Sequence, residues 1–222
     1  MQPLVIPGLL SPAEVAEANR LMDTAEYDDG RATAAGAAHA VKANRQLSRR
    51  SAAAPALDAV VDAALRRCQP FREALSPSAV SQVIYARYGV SDGYGRHVDA
   101  VMTGMPPMRA DVSLTIFLSD PAAYDGGELR LCHGLADHTD FKLAAGAAVA
   151  YPTTLLHEVR PVAQGERRVA VLWVQSFYRD PEIRQLVADL RRCLTHAKTV
   201  PGGVAVELSQ VLANLERKFV GT

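Results

Sequence analysis

Apolar residues recur every third or fourth position near both ends of the chain and every second position through its middle, so helices are expected to flank a β-rich centre. Ser11-Pro12-Ala13-Glu14 has the serine and glutamate of a capping box with proline in the first turn, and predicts a helix running towards Ala25. A second helix is predicted from Pro55 to about Cys68, with Leu57, Val60, Val61, Ala64 and Leu65 on one face. Between them, residues 41–47 alternate and set Lys42, Asn44 and Gln46 on one side of a short strand. That side faces either solvent, as on an edge strand, or a pocket.

From residue 80 to residue 178 the period changes to two. Val112-Ser113-Leu114-Thr115-Ile116-Phe117-Leu118 alternates, Asp125-Gly126-Gly127 has the composition of a hairpin turn into residues 128–132, and residues 148–151 and 169–175 have the character of buried strands. Many short strands without helices between them predict a jelly roll or related barrel rather than a parallel sheet. Beyond it, Asp180-Pro181-Glu182 caps a helix striped by Ile183, Leu186, Val187, Leu190 and Leu194. Pro201-Gly202-Gly203 ends that helix, and Leu208, Val211, Leu212, Leu215 and Phe219 mark another. The expected organisation is therefore a support region of helices and strand (1–79), a β core carrying the chemistry (80–178) and a C-terminal helical hairpin (179–222). The hairpin is expected to pack on the core or on a second copy of the chain.

Composition narrows the field. With 49% hydrophobic and 22% charged residues the chain is an ordinary globular protein, and 24 basic against 24 acidic residues argue against a nucleic-acid partner. Neither a signal-like N-terminus nor an apolar run long enough to span a bilayer occurs, so the cytoplasm is the expected location. Cys68, Cys132 and Cys193 lie far apart and outside any Cys-x-x-Cys spacing; they are expected to be buried, reduced thiols.

The sharpest chemistry lies in Tyr94-Gly95-Arg96-His97-Val98-Asp99, because residues two apart on a strand share a face and can grip one ion. His157, past the strand at 148–151, completes two imidazoles and a carboxylate, the donor set of non-haem Fe(II) oxygenases. Arg167 follows ten residues later, in Gly165-Glu166-Arg167-Arg168, and a guanidinium is the natural partner for the far carboxylate of a dicarboxylic acid. Alternation alone does not choose between Arg167 and Arg168, since both have apolar company two residues on. His133 and His138 flank Asp137 in an expected loop, while His39 and His196 lack nearby acidic partners; none of the four competes as a ligand. Met102, Met105 and Met108 with Pro106-Pro107 form a soft apolar segment that either covers a substrate or covers the core.

Together, Tyr94-Gly95-Arg96-His97-Val98-Asp99, Phe117-Leu118-Ser119-Asp120-Pro121, Tyr124-Asp125-Gly126-Gly127-Glu128-Leu129, Gly165-Glu166-Arg167-Arg168 and Trp173-Val174-Gln175-Ser176 resemble the bacterial PKHD-type hydroxylases, relatives of the prolyl hydroxylases. Asp29-Gly30-Arg31-Ala32-Thr33 and Val41-Lys42-Ala43-Asn44-Arg45-Gln46-Leu47 extend the resemblance over nearly the whole chain, with a slight expansion at Ala34-Ala35-Gly36. The resemblance implies a mainly β fold with flanking helices, a double-stranded β-helix core, Fe(II) on His97, Asp99 and His157, and 2-oxoglutarate anchored by Arg167. It selects Arg167 over Arg168 and implies a contact from Tyr88 to the same cosubstrate, one residue nearer His97 than in prolyl hydroxylases. It further implies dioxygen as co-reactant, ascorbate as reductant and a link to iron uptake. Asp99 occupies the position that related halogenases leave free for halide, which favours hydroxylation. A nucleic-acid demethylase of the same chemistry would carry a second arginine where Trp173 stands. A non-catalytic cupin-like iron sensor is the remaining alternative, and it has no use for Arg167.

Overall fold

The computed structural model describes residues 2–34, 36–134, 136–199 and 204–221. Its larger sheet has eight strands and runs β1 (Leu4–Ile6), β14 (Ala148–Pro152), β10 (Val112–Phe117), β17 (Arg167–Ser176), β6 (Ile84–Tyr88), β4 (Arg45–Leu47), β2 (Tyr27–Asp29), with β5 (Pro77–Val80) on the far half of β17. The five-stranded sheet runs β13 (His138–Phe141), β12 (Leu129–Cys132), β15 (Leu156–Val159), β7 (Gly93–His97), β3 (Lys42–Ala43). Two short ribbons, β8 (Met102–Thr103) with β9 (Met108–Arg109) and β11 (Tyr124–Gly126) with β16 (Val162–Gly165), link the ends. Each pairing is antiparallel. Mostly β structure with flanking helices is the expected fold class.

Alternation decides which core each side chain joins. On β10, Val112, Leu114 and Ile116 face a helical layer, where they meet Met22 from α1 (Pro12–Asp23), Leu57 and Val61 from α3 (Ala54–Arg67) and Phe71 from α4 (Gln69–Leu75). Burying a side chain of this size stabilises the fold by about 1.5–3 kcal/mol. The other face turns to the smaller sheet, where Phe117, Val149 and Val169 pack with Leu129, Leu131 and Val159. Both faces of the larger sheet are thus covered, which is why the whole of β10 is buried although its sequence alternates.

The N-terminal helix begins on the Ser11–Glu14 capping box as expected and ends at Asp23. α5 (Pro181–Ala197) starts on the Asp180 carboxylate and packs with α6 (Ala205–Phe219) through Val187 and Leu212. The hairpin is docked on the body of the protein: Arg191 donates to the Glu73 carbonyl and the Ser76 hydroxyl, and pairs with Glu216. Leu186 and Val211, expected in the apolar stripes, are instead exposed. The break expected at Pro201-Gly202-Gly203 lies outside the described residues, as does Ala35 of the expansion at Ala34-Ala35-Gly36.

Four expectations need correction. Residues 41–47 do not form one strand: Lys42–Ala43 pairs with β7 in the smaller sheet and Arg45–Leu47 with β6 in the larger, so Asn44 sits at the crossing. Asp125-Gly126-Gly127 is no hairpin turn but a bulged crossing between sheets, paired with β16. Gly126 has φ +70°, and a Cβ there would lie 2.3 Å from the Pro161 carbonyl oxygen, so only glycine fits. His138 opens a strand rather than lying in a loop. Of the thiols, Cys132 is buried, Cys68 partly so and Cys193 exposed.

Candidate metal centre

The central cavity, about 450 Å³, opens between the sheets and is lined by His97, Asp99 and His157 together with Tyr88, Arg167 and Lys42. His97 and His157 are direct cross-strand partners on β7 and β15, and Asp99 follows just past the end of β7. Ligand atoms of the three residues lie within 4.8 Å of one another, and this is the metal-competent His/Cys/Asp/Glu cluster found among the described residues.

Hydrogen bonds orient each donor. Nδ1 of His97 lies 2.8 Å from the Gly95 carbonyl and Nδ1 of His157 lies 2.9 Å from the Leu155 carbonyl. A carbonyl only accepts, so both Nδ1 atoms carry the proton and both Nε2 lone pairs are left for a metal. Burial and the neighbouring His157 push His97 down to about 4, which keeps it neutral at physiological pH and ready to ligate. Asp99 Oδ2 accepts a short hydrogen bond from Ser113 Oγ on β10 and lies 3.8 Å from His157 Nε2. Tyr94 stacks on the His97 ring at 3.6 Å, and Tyr151 stands edge-on to His157 at 5.1 Å.

Deeper in the cavity, Arg167 is 1% exposed, and its Nε and Nη1 have no hydrogen-bond partner among the described residues. Its guanidinium lies over the rings of Tyr88, at 5.0 Å, and Phe117, at 5.6 Å. Arg167 and Tyr88 are register partners on β17 and β6. Arg168 points the other way and is satisfied by Glu166 at 2.6 Å and Asp23 at 2.7 Å. A buried cation with two unused donors is costly unless an anion meets it, so the residues present suit a ligand carboxylate at Arg167.

Residues 83–175 match the 2OG-Fe(II) oxygenase superfamily. Over 224 residues the chain is 41% identical to a PKHD-type hydroxylase of Synechococcus elongatus, covering 97% of this chain and 98% of that one. A PKHD-type hydroxylase of a Picosynechococcus species is 43% identical over 186 residues, 83% of each chain. The chain belongs to the PKHD-type hydroxylases.

Solved structures agree on fold. A Pseudomonas putida prolyl-4-hydroxylase superposes with a TM-score of 0.55 at 20% identity, covering 78% of this chain and 92% of that one. HygX from Streptomyces hygroscopicus, solved with nickel, 2-oxoglutarate and hygromycin B, gives 0.56 at 15% identity, covering 79% and 84%. Membership makes this hydroxylase an oxidoreductase of the Fe(II) and 2-oxoglutarate class, and the sensor alternative is not favoured. No helix among the described residues is long and apolar enough to cross a membrane.

All five residues expected at the site line one cavity, whereas His133 and His138 lie at the edge of the smaller sheet, bonded to Thr139 and near Asp140. Ser113 was not singled out by the sequence, although it carried a signal. In an apolar strand that alternates, the polar members Ser113 and Thr115 must face something polar. The methionine segment forms the β8–β9 hairpin; Met102 and Thr103 line the cavity while Met105 is 98% exposed, so it borders the mouth and does not cover the core.

Proposed function

We propose that His97, Asp99 and His157 hold Fe(II), that Arg167 with Tyr88 holds 2-oxoglutarate by its far carboxylate, and that the enzyme hydroxylates a small molecule or peptide side chain admitted past the β8–β9 hairpin. The observation that carries the reading is the pairing of a pre-oriented two-histidine, one-carboxylate cluster with a buried arginine that has no anionic partner among the described residues. Bound iron and 2-oxoglutarate would supply dioxygen activation, with loss of carbon dioxide, release of succinate and transfer of one oxygen atom to the substrate. The chain's own part is positional. The Gly95 and Leu155 carbonyls fix the imidazole tautomers, Ser113 fixes the carboxylate, and Arg167 fixes the dicarboxylate so that its other end reaches the metal. The aromatic walls of Tyr88, Tyr94 and Tyr151 limit water around the centre.

Ascorbate as reductant and a link to iron uptake belong to the same proposal and rest on the resemblance, while a cytoplasmic setting rests on the amino-acid sequence itself. Succinate released from 2-oxoglutarate in air, with Fe(II) and ascorbate, tests it. Wild type should release succinate and Asp99→Ala should not; equal release by both would count against the assignment.

A further inference from the structure

The cavity holds a second buried cation that the proposed chemistry does not use. Lys42 is 6% exposed on β3, and no carboxylate lies within ion-pairing distance of it among the described residues. Its ammonium donates one hydrogen bond, 2.8 Å to Thr33 Oγ1, and that hydroxyl donates in turn to Gln46 Oε1 at 2.9 Å. Nζ also lies 4.8 Å from the centroid of the Tyr94 ring, whose other neighbour is His97, stacked at 3.6 Å. Lys42 therefore stands one aromatic ring away from a metal ligand and opens on the same cavity. Desolvation lowers it to about 8, so it is still mainly protonated at neutral pH.

Charge accounting points to what it awaits. Among the lining residues, Asp99 is the sole carboxylate. Once a divalent metal sits on Asp99 and a dicarboxylate sits between that metal and Arg167, those charges cancel, and the carboxylate still acting on Lys42, Asp29, neither lines the cavity nor lies within ion-pairing distance of the ammonium. Trp173 Nε1, which lines the same space, is also buried without a partner among the described residues. A phosphate dianion would call for more than one cation, and Arg167 is already taken. We propose, building on the function above, that the primary substrate bears a carboxylate that pairs with Lys42 and Thr33, so that Lys42 is a specificity-determining residue for acidic substrates. The carboxylate belongs either to a free small acid or to an acidic side chain of a peptide.

Trp173, the protein's one tryptophan, lines the cavity and reports on its contents. The test is an anaerobic fluorescence titration of the Fe(II) enzyme with 2-oxoglutarate saturating, so that Arg167 is occupied. N-acetyl-glutamate α-amide is compared with N-acetyl-glutamine α-amide as a peptide mimic, and butyrate with butyramide as a free acid. At least one acid should bind about 10- to 100-fold more tightly than its neutral partner, the usual worth of a hydrogen bond to a charged group. The pair that discriminates identifies the source of the carboxylate. Lys42→Met should abolish the preference while the visible absorption of the Fe(II)–2-oxoglutarate complex still forms. Acid and amide quenching alike in wild type, or no quenching by either acid, overturns the inference, and that comparison stands even if Lys42→Met fails to fold. Absence of the Fe(II)–2-oxoglutarate absorption from wild type would instead overturn the function on which it rests.

Discussion

Replacing Arg167 should separate cosubstrate binding from folding in opposite directions. Deep in the cavity its Nε and Nη1 have no partner among the described residues, so a bound dicarboxylate would supply the missing acceptors. Truncating one side of a buried, charge-assisted pair costs about 2–5 kcal/mol, which is a rise of about 30-fold to several thousand-fold in the 2-oxoglutarate dissociation constant. Without ligand the same side chain is an uncompensated buried cation, 1% exposed, against Tyr88 and Phe117. Arg167→Met, apolar and of similar length, should therefore raise the melting temperature of the ligand-free protein by about 2–4 °C for each ~1 kcal/mol of relieved desolvation. Arg168→Ala loses partly exposed pairs with Glu166 and Asp23, worth about 1 kcal/mol or less each, and should leave 2-oxoglutarate affinity alone. The assay is anaerobic calorimetric titration of 2-oxoglutarate into iron-loaded wild type, Arg167→Met and Arg168→Ala, with thermal melts of each metal-free protein. Near-normal affinity in Arg167→Met with collapsed affinity in Arg168→Ala would refute the assignment of the clamp.

His97→Ala, Asp99→Ala and His157→Ala should each lose stoichiometric iron by metal analysis, whereas His133→Ala and His138→Ala should keep it; the reverse pattern would move the centre. Ser113→Ala frees the Asp99 carboxylate to rotate and should weaken iron binding by about 10- to 100-fold in chelator competition, with folding intact. Because His97 is held down to about 4 in the fold, against about 6.5 unfolded, the unfolded chain takes up the proton first. Metal-free protein should thus lose on the order of 1–3 kcal/mol as pH falls from about 6.5 towards about 4, and His97→Gln should lose less when urea midpoints are compared across that window. Deleting residues 181–222 should lower the melting temperature, since Arg191 anchors α5 to Glu73 and Ser76; an unchanged melt would mark the hairpin as dispensable.

Much of the fold was legible because each local signal had one physical reading. The Ser11 capping box, the Asp180 cap and the alternation of Val112–Phe117 required no knowledge of the other elements. The metal cluster was legible for the same reason, through the two-residue spacing of His97 and Asp99. Less legible were features that depend on which sheet a strand joins. Residues 41–47 alternate correctly, yet the chain passes from one sheet to the other at Asn44, and it is this crossing, invisible in the alternation, that makes Lys42, Asn44 and Gln46 a cavity wall rather than a solvent-facing edge. The Gly126-Gly127 pair looks like a hairpin until β16 claims its partner strand. Arg167 and Arg168 were indistinguishable by hydrophobicity, because both faces of β17 are covered, one by helices and one by the opposing sheet.

If one cavity brings Fe(II) on His97, Asp99 and His157 together with 2-oxoglutarate on Arg167, visible absorption under anaerobic conditions should report the two as a single complex. Adding 2-oxoglutarate to the Fe(II) protein should produce a metal-to-ligand charge-transfer band in wild type at stoichiometric metal, no band in Asp99→Ala, and in Arg167→Met a band only at far higher cosubstrate concentration. Iron bound tightly by wild type with no band at any 2-oxoglutarate concentration would show that the metal and the arginine do not share one ligand.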